Sequence, residues 1–160
     1  MTTIIYFFLM ALILFIVPQL IVRFVEGQPK VDSSVLYLVF AFCLPLIWIF
    51  LPKEILEFRS VNFIQHAVGG GVAVGFVSIY FIKNFKEKYL FFNNFFGQLL
   101  FVFAVVSMLG VTNELLEFLL DYSGVGIFSA DRYDTWYDLL ANTSGALGVF
   151  LAWVIGKKII

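Results

Sequence analysis

The chain has 160 residues, 62% of them hydrophobic and 13% charged, with a mean hydropathy of +1.00. A soluble domain carries roughly 25% charge, so this composition excludes a soluble globular enzyme and a disordered tail. The net charge of −1 supplies no field to attract a polyanion, which excludes a nucleic-acid binder built on a basic patch.

All 21 charged residues fall into five clusters, separating charge-free runs at 1–22, 33–52, 60–82, 89–113 and 139–156. A helix needs about 20 apolar residues to cross the roughly 30 Å hydrocarbon core. Lipid also forces every backbone group to pair internally, and the runs lack the period-2 alternation of a membrane barrel. The expected fold is therefore all-α: a polytopic membrane protein, one domain over 1–160, with transmembrane helices at about 4–22, 34–51, 60–82, 94–117 and 135–156.

The first run reads as a membrane helix rather than a signal peptide, since it lacks a basic leading region and a small-x-small cleavage site. Pro18 is expected to kink its last turn. The second run holds Pro45 and the single cysteine, Cys43, which cannot form an intrachain disulfide. Between the second and third runs, the segment 52–59 balances four charges around Ile55, Leu56 and Phe58, as a short interfacial turn does.

The third helix begins with Asn62 and, four residues on, the only histidine, His66; Gly69, Gly70, Gly71 and Gly75 follow, as close packing requires. On the fourth helix Ser107, Gly110, Glu114, Glu117 and Asp121 form one stripe with spacings of 3, 4, 3 and 4. On the fifth, Asp134, Asp138 and Asn142 are spaced by 4, with Gly145 three further on. A second stripe on that helix, Ser144, Gly148, Ala152 and Gly156, predicts that the fifth helix packs centrally through small residues. Tyr133, Trp136 and Tyr137 read as interfacial aromatics.

Lys and Arg number seven on one side of this five-span arrangement and three on the other. The positive-inside rule then places the N-terminus outside and the C-terminus in the cytoplasm of a cell-membrane protein. Whichever way the chain is inserted, the third helix starts on the side where the fourth ends and the fifth starts. His66, the Glu114/Glu117 pair and the Asp134/Asp138 pair therefore share one side of the membrane.

Two readings of this polar set stand side by side. In the plainer one the acids mark where helices leave the membrane, and Asp131 and Asp134 cap the fifth helix. In the other, His66, Glu114, Glu117 and Asp138 line one site. One imidazole with several carboxylates matches divalent-metal ligation, with a carboxylate beside the metal serving as base. Arg132, Asp134 and Asn142 would bind substrate there, Arg132 by orienting an anionic headgroup.

Residues 131–148 read Asp-Arg-Tyr-Asp-Thr-Trp-Tyr-Asp-Leu-Leu-Ala-Asn-Thr-Ser-Gly-Ala-Leu-Gly. This resembles the VanZ-like family of small bacterial membrane proteins, which carry an Arg, then an Asp, then Asn-Thr-x-Gly-Ala and a further Gly. Arg132, Asp138, Asn142, Thr143, Gly145, Ala146 and Gly148 match that pattern. Glu114 resembles the family's Glu on the preceding helix, and His66 its upstream His. The chain departs from the pattern at Glu117, where the family often has Gln, and at Ser60-Val61-Asn62, which replaces an Asp-Lys. Glu114-x-x-Glu117 with Asp134-x-x-x-Asp138 is also similar to the YjdF-type inner-membrane proteins. The likeness spans roughly 62–156 and implies a link to the cell envelope and to glycopeptide antibiotic tolerance, with no established reaction.

The functional expectation is an outward-facing polar site that binds or processes a cell-envelope or lipid component, with or without a divalent metal ion. The alternative is a non-catalytic small membrane subunit of a larger complex, docking a protein partner through the small-residue stripe. Membrane lipids are the expected surroundings, and no nucleic acid is expected.

Overall fold

The computed structural model describes residues 2–27, 33–50, 58–124 and 133–159. All regular structure among them is helical. Helix α1 covers Thr2–Glu26 and runs through Pro18; α2 covers Val35–Phe50 and runs through Pro45. The third helix, α3, is composite: α-helical Phe58–Gln65, π-helical His66–Val72, then α-helical Ala73–Phe85. Helix α4 covers Phe95–Tyr122 and α5 covers Asp134–Ile159. The expected interfacial turn at 52–59 falls mostly outside the described residues.

Local chemistry sets the ends. Gly27 and Gly124 take φ of +78° and +73°, the left-handed conformation that closes a helix without a Cβ clash. Gly27 N–H bonds back to the Arg23 carbonyl at 2.9 Å. Asn94 caps α4, its Oδ1 accepting from Gly97 N–H at 2.7 Å.

Among the described residues, three helical stretches are long and apolar enough to cross a membrane: Asn62–Phe85, Phe95–Tyr122 and Asp134–Lys157. They are not equivalent. Burial reaches 67% in the apolar window of α3, against 22% for each of α4 and α5. The central helix is therefore α3, which corrects the expectation that the fifth helix occupies the centre. Tyr80, Ile79 and Ile82 of α3 are fully enclosed, with Leu38 of α2 and Phe150 of α5. Large apolar side chains elsewhere stay exposed, among them Leu20, Phe103, Phe118 and Leu140, giving an outer surface that suits lipid.

Among the described residues, α5 packs on α3 through its Gly145 face. A Cβ on Gly71 would strike the Asn142 carbonyl, one on Gly145 the Ala67 carbonyl, and one on Gly75 the Val149 side chain. These glycines let the α3 and α5 backbones touch, as small residues do between membrane helices. The other stripe is left open: Ser144, Gly148 and Ala152 are exposed, and nothing lies within 4 Å of a Cβ built on Gly148 or Gly156. Small residues permit approach on both stripes, but only the Gly145 face meets a complementary glycine run. Gly69 likewise faces open space, and Gly70 and Gly71 carry the contact instead.

Candidate functional site

Helices α3 and α5 run parallel in a fixed register. Asn62 bonds Asp134, and His66 meets Asp138; both pairs are 72 residues apart. One turn deeper, at the same offset, Gly70 abuts the Asn142 side chain. Spacing of four on each helix stacks these residues on one stripe, so fixing one pair fixes the next two.

Helix α4 supplies the third wall. Gly110 packs on Leu139 and Asn142, a Cβ there standing 3.0 Å from Leu139 Cδ2. That close approach carries Glu114, one turn further along α4, to the level of Asp138. One ligand atom each from His66, Glu114 and Asp138 lies within 4.8 Å of the other two.

The cluster is under cover. Asp138 is 2% exposed and His66 13%. His66 Nε2 stands 3.3 Å from Asp138 Oδ2, and Asn62 Nδ2 donates at 2.9 Å to both Asp134 Oδ1 and Asp138 Oδ1. Asn62 thus holds the two carboxylates in place while leaving Asp138 Oδ2 toward the imidazole. Thr135 hydrogen-bonds Glu114, yet Glu114 Oε1 is buried with no partner, as is Asn142 Oδ1. An unpartnered buried carboxylate oxygen is costly, and a proton, a water or a ligand would relieve it.

All the expected residues but Arg132 have a definite place. His66, Glu114 and Asp138 form the converging trio. Asp134 lies one turn outward from Asp138 and close enough to act electrostatically on all three. Glu117 does not join the trio: Asn113 Nδ2 donates to its Oε1 at 2.7 Å, turning it along its own helix. Asn142 sits deeper, against Gly70 and below the level of the trio. Arg132, expected to bind an anionic headgroup, lies outside the described residues. Sequence reasoning missed Asn62 and Thr135 as site residues. Asn62 had a signal in its four-residue spacing to His66, while Thr135 had none.

The donor set can do specific chemistry. One imidazole nitrogen and two carboxylates are the ligand types of catalytic zinc and of manganese or iron sites with open positions. Two carboxylates this close repel strongly where water is scarce, and a divalent cation relieves that repulsion. Asn62, bonded to two of the acids, is the kind of outer partner that orients metal ligands.

Scans against protein-family models, curated proteins and solved structures match nothing to this chain.

Proposed function

We propose that this is an integral membrane protein with five spans whose His66–Glu114–Asp138 cluster holds a divalent cation and, through it, binds or processes an anionic cell-envelope or lipid component. The observation that carries the reading is the convergence of three buried or half-buried ligand groups from three helices to within 4.8 Å. The resemblance to VanZ-like proteins supplies the envelope as the setting.

In this reading α1, with 25 residues, and the apolar α2 add two spans to the three long helices. The Lys/Arg asymmetry turns the cluster outward. A cation at the cluster would supply Lewis acidity toward a phosphoryl or carbonyl oxygen. The chain's own groups do the rest. Asn62 holds Asp138 of the cluster and Asp134 one turn outward, and Asp134 would accept a proton during processing. Arg132, two residues before α5, would meet the anionic group. The test is hydrolysis of, or binding to, envelope phospholipids and lipid-linked precursors by the cation-loaded protein, compared with His66→Ala. Loss of the signal in His66→Ala supports the reading; equal signal with and without cation refutes it.

One observation favours a second reading, a subunit of a larger membrane complex. The open stripe of Ser144, Gly148 and Ala152 on α5 is a surface on which another helix could pack closely. A stoichiometric partner retained through purification and released by Gly148→Leu supports that reading.

A further inference from the structure

The end of the bundle opposite the acidic cluster is basic. Lys83 lies in the last turn of α3, Lys86 and Lys88 follow, and Lys157 lies in the last turn of α5. Lys88 is occupied: it donates to the Val25 carbonyl at 2.9 Å and pairs with Glu26 at 3.6 Å. Lys83, Lys86 and Lys157 have no carboxylate partner among the described residues. Lys83 and Lys157 are nonetheless neighbours, each seated over one of two aromatic rings that are hydrogen-bonded to each other, and Lys86 adds a further like charge that acts on Lys157.

Aromatic rings hold two of these ammonium groups. Lys83 Nζ lies 5.5 Å from the centroid of the Tyr37 ring, and Lys157 Nζ lies 3.1 Å from that of Trp153. Trp153 Nε1–H donates to Tyr37 Oη at 3.1 Å, so the two rings are locked together. The Tyr37 phenol therefore accepts one hydrogen bond, and its own O–H has no acceptor among the described residues. Tyr37 comes from α2, Lys83 from α3, and Trp153 and Lys157 from α5. Three helices thus build a patch with two ring-held cations and a hydroxyl that has no acceptor among the described residues.

Three like charges with no carboxylate partner among the described residues suit an anion. The helix ends that carry them belong to stretches long enough to span a bilayer, which sets the patch at headgroup depth, where Trp and Tyr favour the interface. Lys83 and Lys157, seated over the two bonded rings, bring donors to one part of the surface, which suits a group with several acceptor oxygens. We infer that Lys83, Lys86, Lys157 and the Tyr37 hydroxyl form a site for the phosphodiester headgroup of an anionic phospholipid, in the leaflet opposite the acidic cluster. The site shares no residue with the cation cluster and stands or falls separately from it.

Native mass spectrometry of the full chain in detergent tests the inference, with phosphatidylglycerol and phosphatidylcholine of matched acyl chains as probes. The wild type should retain phosphatidylglycerol in preference. Each lysine near a membrane surface contributes about fivefold, so K83Q/K157Q should lose about 30-fold of that preference. K83R/K157R, which keeps both charges, should retain it. Thermal unfolding of K83Q/K157Q reports whether the fold is intact. Should that variant not fold, Tyr37→Phe, which removes only the hydroxyl, should weaken phosphatidylglycerol retention without touching a charge. Equal retention of the two lipids by the wild type, or an unchanged preference in a folded K83Q/K157Q, overturns the inference. So does complete displacement of the lipid by glycerol 1-phosphate, which would show a site for free phosphate.

Discussion

His66 Nε2 lies 3.3 Å from Asp138 Oδ2, and the 72-residue offset that joins them also joins Asn62 to Asp134. Two parallel helices thus present matched polar stripes, and the cluster is a property of their register rather than of any single side chain. A shift of either helix by one residue would rotate its polar stripe by about 100° and break every pair together.

Asn62 is the register's outer pin. Asn62→Leu removes two 2.9 Å hydrogen bonds from two acids, one of them buried. The expected loss is about 1–3 kcal/mol of stability and about 10–100-fold in cation affinity. Thermal unfolding in detergent, with and without cation, measures both. A variant as stable as the wild type, with undiminished cation affinity, would remove Asn62 from the site.

The two small stripes of α5 should respond differently to the same change. Gly145→Ala places a Cβ against the Ala67 backbone carbonyl, which cannot rotate away; overpacking of this kind costs about 1–3 kcal/mol. Gly148→Ala meets open space and should stay within about 0.5 kcal/mol of wild type. Paired melting curves decide it, and a reversed order would contradict the packing of α5 on α3.

Much of the site was legible because charge is expensive in lipid. Helical spacing puts Glu114 on one stripe of the fourth helix and Asp138 on one of the fifth, and shared sidedness with His66 follows from counting spans; that the stripes meet was not legible, because acids at helix ends serve equally as interfacial caps. The choice of central helix was not legible. In a membrane the core and the lipid are equally apolar, so the hydropathy of α3 does not distinguish it from α5. The two small stripes were ambiguous for a related reason. Gly145 and Gly148 look alike until the partner's Gly70 and Gly71 are placed opposite one of them. The π-helical stretch His66–Val72 arises from a shift in backbone hydrogen bonding at a glycine-rich segment, which leaves no residue pattern of its own.

Orientation is checked with a single thiol. Ser123, exposed at the end of α4, is changed to Cys in a Cys43→Ser background. The Lys/Arg asymmetry predicts that a membrane-impermeant maleimide labels Ser123→Cys from outside intact cells. Labelling only after the cytoplasmic face is opened would invert the assignment and turn the cation cluster inward.

The most direct measurement of the central claim is cation binding by the purified full chain after chelator treatment. Mn²⁺ is followed by loss of the free-ion electron paramagnetic resonance signal, and Zn²⁺ by calorimetry. The account predicts one site per chain for at least one of these ions and an unfolding midpoint that rises with its concentration, the gain in stability reaching about 2.7 kcal/mol at a hundredfold excess over Kd. It also predicts loss of both effects in His66→Ala and in Asp138→Asn. A wild-type chain that binds neither ion, or variants that bind as well as the wild type, would contradict it.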